Sequence, residues 1–468
     1  MASSNTDREI ANVSYEEYRQ IFGDSEDENE SDIDFEGFSN VGSGDEESCD
    51  EESDDYESEE EEAGQQWSQT LTNINVNEFA GESGLLKNFS ENAKADEYFL
   101  KVFGNESLDV IVAETNRFAR QSLANKPTRL SQWKDTTKEE VKAYFGMCII
   151  MGINVLPKVA DYWSNDAFIG NDALKKIMPR NRFQELSQFL HFANSHLTPP
   201  RGAENYDRLY KVRSILSAVL KNSQEAYYPG KNLAVDEGMI AFKGRLEFRQ
   251  YMPAKPTKYG IKVWMLADSS NGYVLNYDVY LGSDGKKRIH GLGYDAVASM
   301  VKPYMNKNHH VYFDNFFSSP ILLEHLHMQQ TYACSTVRCN RKGMPECAKK
   351  KLTQAGELVQ AQKGDLLFTK WHDKHDVAFL SSNVSPEEAS RTVKRTVKGQ
   401  QVEIVKPRVS DKYTANMGGV DRADQLRSFY YAGRQTRKWY KYLFWFAFNL
   451  ATVNSFILEA IDKKKKRP

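Results

Sequence analysis

The sequence predicts a mixed α/β protein, and three observations carry that prediction. Apolar residues recur at three- and four-residue intervals between about Asp96 and Leu220, in KEEVKAYFGMCIIMGI, NRFQELSQFLHF and LYKVRSILSAVLKN, the spacing of helices with one buried face. After Pro229-Gly230 the texture becomes that of strands, beginning with NLAVDEGMIAF. From there strands and helices follow one another, the order that builds a mixed sheet layered with helices.

The first residues stand apart from that pattern. Residues 1–62 carry 25 Asp and Glu against Arg8 and Arg19, a net charge of −23. Because the whole chain carries −4, residues 63–468 carry +19. A basic body with an acidic tail is the pattern of a polyanion-binding protein that brings its own electrostatic competitor, although a merely solvated tail gives the same count. Residues 1–85, rich in Ser, Asp, Glu and Gly, are expected to be disordered.

Beyond the first strand, YGIKVWMLADSSNGYVLNYDVYLG reads as a hairpin turning at Asn271-Gly272. A helix near Tyr294–Tyr304, a short buried strand HHVYFDNF, a helix SSPILLEHLHMQQ with serines suited to its N-cap, and a strand TYACSTVR follow. Residues 339–407 are polar and basic with short β-like pieces, LLFTKW and DVAFLSS, and read as an insertion. YTANMGGVDRADQLRSF then opens a helical ending.

Five cysteines, unevenly placed, are too few for a disulfide framework and fit a reducing compartment. The spacing Cys334-x4-Cys339-x7-Cys347, with His372 and His375 later, matches no common zinc knuckle. The first twenty residues lack the basic and apolar regions of a signal peptide. Tyr442 to Leu458 is almost continuously apolar, but Asn449, Thr452, Asn454 and Ser455 interrupt it, so a buried helix is expected rather than a membrane anchor. The Lys463–Arg467 run after it reads as a nuclear-import signal or a phosphate-contacting tail.

Three aspartates sit where a fold could gather them. Asp236 lies on the first strand, Asp314 ends the strand VYFDN, and Asp421 follows Gly418-Gly419 at a helix start. Asp424 is one turn further, on the same helix face as Asp421. Neighbouring carboxylates repel unless a cation offsets them, and oxygen-only donors suit Mg²⁺. Two such ions about 3.5–4 Å apart can activate water and stabilise a leaving 3′ oxygen in phosphodiester cleavage.

VDEGMIAFKGR, YMPAKPTKYGIKVW, YFDNFFSSPILLEHL, STVRCNRKGMP and NMGGVDRADQL occur in the order in which piggyBac-family transposases carry such motifs, and YWS (Tyr162 to Ser164) and RFQELSQFLHF resemble that family's N-terminal domain. The resemblance runs from about Asp96 to Leu458. It implies an RNase H-like catalytic domain (231–338 and 408–424) with a β-rich insertion (339–407). A split helical domain for dimerisation and DNA binding (86–230 and 425–460) would flank it, with an acidic tail (1–85) and a basic tail (461–468). It further implies a homodimeric nuclear enzyme that excises DNA through hairpin ends and inserts it at TTAA. Asp236, Asp314 and Asp421 match the family's metal-binding catalytic aspartates, and Asp424 an additional acid beside them. Two Mg²⁺, with Mn²⁺ able to substitute, would be its cofactor. Members commonly end in a cysteine-rich zinc-binding domain, and no such cysteines precede Pro468. That departure points to the alternative of a domesticated nuclear DNA-binding protein without transposition activity.

Cations around these motifs are candidate DNA contacts: Lys243 and Arg245 after the first aspartate, Lys255, Lys258 and Lys262 in the next basic segment, and Arg338, Arg341 and Lys342 after TYACSTV. Tyr430, Tyr431, Trp439 and Tyr440, interleaved with Arg434, Arg437 and Lys438, form a second basic-aromatic strip whose aromatics are expected in the core. If the acidic residues compete for this basic body, deleting residues 1–62 tightens non-specific DNA binding, most at low salt where screening is least. Filter binding across a salt series checks this. Equal affinity at low salt leaves the tail as simple solvated chain.

Overall fold

The computed structural model describes residues 66–125, 133–253, 255, 257–283, 285, 288–397 and 400–465. Most of the acidic tail, residues 1–65, and residues 466–468 of the basic tail lie outside them. Residues 66–85, expected to be disordered, instead lie along the body. Trp67 Nε1 donates to Gly343 O (2.7 Å), Ser68 bridges to Gln362, and Asn77 N donates to the Tyr332 hydroxyl (2.8 Å). The composition is too polar to form a core of its own, but one backbone bridge at the sheet edge, hydrogen bonds through side chains and the buried Ile74 hold the segment in place.

After β1 (Gly84–Leu85) come the helices α1 (Ala95–Phe103), α2 (Asn105–Asn125), α3 (Lys138–Ile153), α4 (Asp172–Ile177), α5 (Arg180–Phe189) and α6 (Arg213–Ala226). Thr137 caps α3 by accepting the Glu140 N–H, with Glu139 and Glu140 in the first turn favoured by the helix dipole. β2 (Tyr227–Tyr228) pairs with β1 and leads into the sheet.

The strands are β3 (Asn232–Ala241), β4 (Arg249–Tyr251), β5 (Tyr259–Asp268), β6 (Val274–Val279), β7 (His310–Phe313), β8 (Tyr332–Thr336), β9 (Leu358–Lys363), β10 (Leu366–His372) and β11 (Asp376–Ser381). They form a nine-stranded sheet of order β4-β5-β3-β7-β8-β11-β10-β9, with β6 also on β5. β3, β7 and β8 run parallel and the other pairs antiparallel. The β5–β6 hairpin turns at Asn271-Gly272, Gly272 taking φ +80°. α7 (Leu292–Val301) precedes β7, and α8 (Pro320–Met328), capped by Ser319, joins β7 to β8.

The stretch read as an insertion is not a separate layer throughout. β9, β10 and β11 extend the main sheet beyond β8, with Phe379 and Ser381 paired to Thr336 and Cys334. Only the ribbon β12 (Arg391–Val397) and β13 (Gln400–Lys406) forms its own two-stranded sheet. The buried apolar residues of LLFTKW and DVAFLSS are what allow the sheet to continue there.

α9 (Arg408–Asn416) and α10 (Gly419–Phe429) lead to α11 (Trp439–Lys465). The apolar stretch of α11 is long enough to cross a membrane but is packed inside the helices: Phe444 stacks on Phe192 at 4.3 Å, and Phe448 meets Phe145 at 5.1 Å. Each such ring contributes roughly 1.5–3 kcal/mol when fully buried. The polar residues that interrupt the stretch join it to its neighbours. Asn454, with no exposed surface, accepts the Val274 N–H (3.0 Å) and donates to Val274 O (2.9 Å), tying α11 to β6. Asn449 Oδ1 accepts the Ala432 N–H (3.1 Å), and Ser455 Oγ donates to Tyr98 O (3.2 Å).

Asn454→Ala strands both backbone groups of Val274 inside the protein. Urea unfolding is expected to show a loss of roughly 2–4 kcal/mol, because each buried unpaired group costs about 1–3. Thr452→Ala, which removes only a bond to Phe448 O within the same helix, is expected to cost less than about 1 kcal/mol.

Candidate acidic active site

The register of β3 on β7 sets the centre of the site. Asn232 pairs with His310 and Ala234 with Tyr312, in parallel. Continued by two residues, that register puts Asp236 abreast of Asp314 on strands about 4.8 Å apart. Asp314 is the first residue past β7, so the pair lies at the carboxyl end of a parallel strand, where open α/β sheets bind ligands.

Asp236 is 9% exposed, and its Oδ1 accepts the Glu237 N–H (2.8 Å). Burial pushes its carboxyl up to about 7; the ammonium of Lys255 opposes this, while the charges of Glu237 and Asp314 add to it. Asp314 Oδ1 accepts the Phe316 N–H (2.9 Å), closing the turn that follows β7. Glu237, the next residue in the sequence motif, was not singled out as a site residue. Burial, and secondarily Asp314, raise its pKa against the pull of Lys262, and its Oε2 is enclosed with no hydrogen-bond partner. Tyr413 on α9 faces the same acids: burial raises its hydroxyl to about 12 despite a hydrogen bond with Thr336, and Asp314 and Asp236 contribute. The adjacent acid in the motif was a signal for Glu237. Nothing in the sequence around Tyr413 marked it.

α10 is seated on β3 by small residues and backbone clamps. A Cβ at Gly419 would lie 3.1 Å from Ala234 Cβ and 3.2 Å from Ser269 Cα, so any larger residue would push the helix off the sheet by a few tenths of an ångström. Ser269 Oγ donates to Asn416 O (2.6 Å), and the Arg422 guanidinium donates to the carbonyls of Ser269 and Ser270. The Asp424 carboxylate then lies 3.5–3.6 Å from where a Gly238 Cβ would be. Gly238 and Asp236 alternate onto the same face of β3. Asp424 is held there by Arg427 (2.8 Å).

Asp421, in the first turn of α10, is exposed. The structure therefore brings Asp236 and Asp314 together and sets Asp424 against the same strand. It does not gather the expected three aspartates into one cluster: among the described residues, no three His, Cys, Asp or Glu side chains form a group able to hold a metal ion. Asp421 is turned to solvent, while the close approach that Gly419 permits has seated the helix so that Asp424 meets β3.

The expected DNA-contacting cations divide in the same way. Lys243, Arg245, Lys258, Arg338 and Lys342 are exposed. Lys255 is half-buried, its Nζ 3.5 Å from Glu237 O beside the acids. Arg338 Nε donates to Asn315 Oδ1 (3.2 Å), and Arg341 donates to Phe316 O (2.7 Å), so both arginines hold the turn after Asp314. Lys262 departs from expectation. It is 8% exposed, with its ammonium 4.0 Å from the Trp264 ring centre and 4.6 Å from that of Phe316. Its place within β5, paired with Met239 of β3, makes it an inward cation rather than a surface one. In the second strip Tyr440 is buried, Trp439 packs on Phe248 (5.6 Å), and Tyr430 and Tyr431 are exposed.

The transposase IS4 family model matches residues 94–456, a span that takes in the whole sheet and the acids at its strand ends. The chain belongs to that family, and within it to the piggyBac type. PiggyBac transposable element-derived protein 5 of Homo sapiens is 24% identical over 417 residues, covering 85% of this chain and 76% of the relative. PiggyBac transposable element-derived protein 3 of Homo sapiens is 26% identical over 373 residues, 77% of this chain and 60% of that protein. A piggyBac transposase in a synaptic complex with hairpin DNA, solved by cryo-electron microscopy, superposes with TM-score 0.69 at 26% identity, covering 83% of this chain and 79% of that one.

The raised carboxyl of Asp236 has a consequence for stability. Its folded value of about 7 exceeds the ordinary 3.8, so its contribution is fully present below about pH 4 and is lost as pH rises through about 7. Metal-free protein is expected to lose on the order of a few kcal/mol over that range, with Glu237 acting in the same direction. Asp236→Asn should flatten the profile and be the more stable protein at pH 8. Denaturation midpoints measured with chelator at several pH values check this.

Proposed function

We propose that the chain cuts and joins DNA strands as a transposase does, at an acidic site in which Asp236, Asp314 and Asp421 act on the phosphodiester and Asp424 supports them. The observation that carries this is the Asp236–Asp314 pair, two carboxylates set side by side by strand register, one of them largely buried. In this proposal the central sheet is an RNase H-like core and the helices form the dimerisation and DNA-binding part. The partners are double-stranded transposon ends and a TTAA target, the working form is a homodimer, and the compartment is the nucleus.

The residues fit divalent cations in donor chemistry and charge. The donors are oxygens only, and the enclosed, unpartnered Glu237 Oε2 adds to a local excess of negative charge that a cation offsets. Asp236 and Asp314 would hold Mg²⁺ or Mn²⁺, with Asp421 and Asp424 supplying carboxylates from α10. Bound there, such ions lower the pKa of an attacking water and stabilise the departing 3′ oxygen. The chain's own residues do the rest. Burial raises the Asp236 carboxyl to about 7, which favours its neutral form until a cation or a rise in pH offsets that cost. Lys255 reduces that cost. Lys243, Arg245, Lys258 and Lys342, all exposed, are available to hold the DNA backbone, and binding through them is salt-dependent.

The second proposal is a domesticated DNA-binding protein. It is favoured by one observation: Asp421, the third expected aspartate, is exposed to solvent rather than gathered with Asp236 and Asp314.

Cleavage of DNA carrying family-type ends decides between the two. Activity is expected to need Mg²⁺ or Mn²⁺, with Ca²⁺ supporting binding but little chemistry. Asp236→Asn, Asp314→Asn or Asp421→Asn should each lower turnover by roughly 10³-fold or more, as for residues that act as a unit, while DNA affinity persists. Asp424→Asn should be milder. Wild type that binds matched ends without metal-dependent cleavage supports the binding protein, and Asn variants that cut as well as wild type refute the site.

A further inference from the structure

Lys262 is the one expected DNA contact that the fold places inside. In the β3–β5 register Met239 faces Lys262 and Glu237 faces Trp264, so Glu237, Lys262 and Trp264 share one face of the sheet, opposite to that of Asp236 and Gly238. The Lys262 ammonium lies against both Trp264 and Phe316, whose rings stack at 5.7 Å. Burial pulls it below the usual lysine range, while the charges of Glu237, Asp314 and Asp236 oppose that shift. Phe316 belongs to the turn that begins at Asp314, and its own N–H is the donor to Asp314 Oδ1. The cation under the Phe316 ring and the hydrogen bond to Asp314 therefore act on one three-residue turn.

Resting on the acidic-site proposal above, we infer that Lys262 is a positioning residue for Asp314. It fixes the Asp314–Phe316 turn by a cation–π contact from the back of the sheet and offsets the buried charge of Glu237, so that Asp314 presents its carboxylate at a fixed place beside Asp236. A buried ammonium can do this because aromatic faces and nearby carboxylates replace part of its lost hydration. Arg341, donating to Phe316 O, secures the same turn from the other side. The inference removes Lys262 from the DNA-binding surface and assigns it to the acidic site.

Lys262→Met keeps length and apolar bulk but removes the charge, and Lys262→Arg keeps the charge. The full chain is compared by hydrogen exchange at the Phe316 amide, by the Mn²⁺ concentration that half-maximally raises the melting temperature, and by DNA affinity without metal. For Lys262→Met, faster Phe316 exchange is expected, with a half-saturating Mn²⁺ concentration about 10-fold higher, the scale of losing an outer partner at a metal site. DNA affinity should be unchanged, and Lys262→Arg should recover most of the Mn²⁺ response. If Lys262→Met does not fold, Glu237→Gln with Lys262→Met removes both buried charges and is measured instead. Unchanged Phe316 exchange overturns the inference, as does a loss of metal-free DNA affinity, which would return Lys262 to the surface contacts. Wild type that shows no response to Mn²⁺ overturns the acidic-site proposal instead, and the Phe316 exchange still decides whether Lys262 holds the turn.

Discussion

Two carboxylates side by side in a largely buried setting are costly, and much of the central structure follows from accommodating them. The parallel pairing of β3 with β7 leaves Asp236 and Asp314 abreast. A slip of one residue would turn Asp236 to the opposite face of the sheet, where Glu237 now stands. With burial already pushing Asp236 toward neutrality and Asp314 adding its charge, the fold brings Lys255 to one side and Lys262 to the other. The site is an electrostatic imbalance partly offset by two lysines. Carboxylates held in that way destabilise the metal-free fold above neutral pH, and perturbed acids of this kind cluster at functional sites.

The position of α10 depends on a second constraint, close approach. Gly419 lets the helix start against Ala234, and Gly238 leaves room for Asp424 above β3. Arg422 and Ser269 fix the helix to the β5–β6 turn. That turn is in turn tied to α11 through Asn454 and Val274. A chain of polar contacts thus runs from the core of the helical layer, through the hairpin, to the acids.

Much of this was legible in the sequence because the signals were local. Alternating and continuous apolar runs marked β3, β5 and β7; Asn271-Gly272 marked the hairpin; Ser319 marked the start of α8. The asparagines inside the apolar run of α11 correctly argued for burial in protein. What was missed depends on long-range partners. Residues 66–85 have no apolar period, yet a Ser68–Gln362 backbone bridge at the sheet edge, scattered hydrogen bonds that involve side chains, and the buried Ile74 hold them to the body. The strands β9 to β11 looked like an insertion because only β11, the last of them in sequence, pairs with β8 and so joins them to the main sheet. Lys262 looked like one more basic residue, since only its pairing with Met239 reveals that it points inward. That Asp421 is exposed while Asp424 meets β3 was beyond spacing, because it depends on how α10 is seated on the sheet.

The most direct measurement of the central claim is anomalous diffraction from crystals of the chain grown with Mn²⁺ and a DNA end. The expected result is a peak beside the carboxylates of Asp236 and Asp314. Ordered DNA with no anomalous peak at that pair, or with Mn²⁺ held only elsewhere, would contradict the assignment of this site to phosphodiester chemistry.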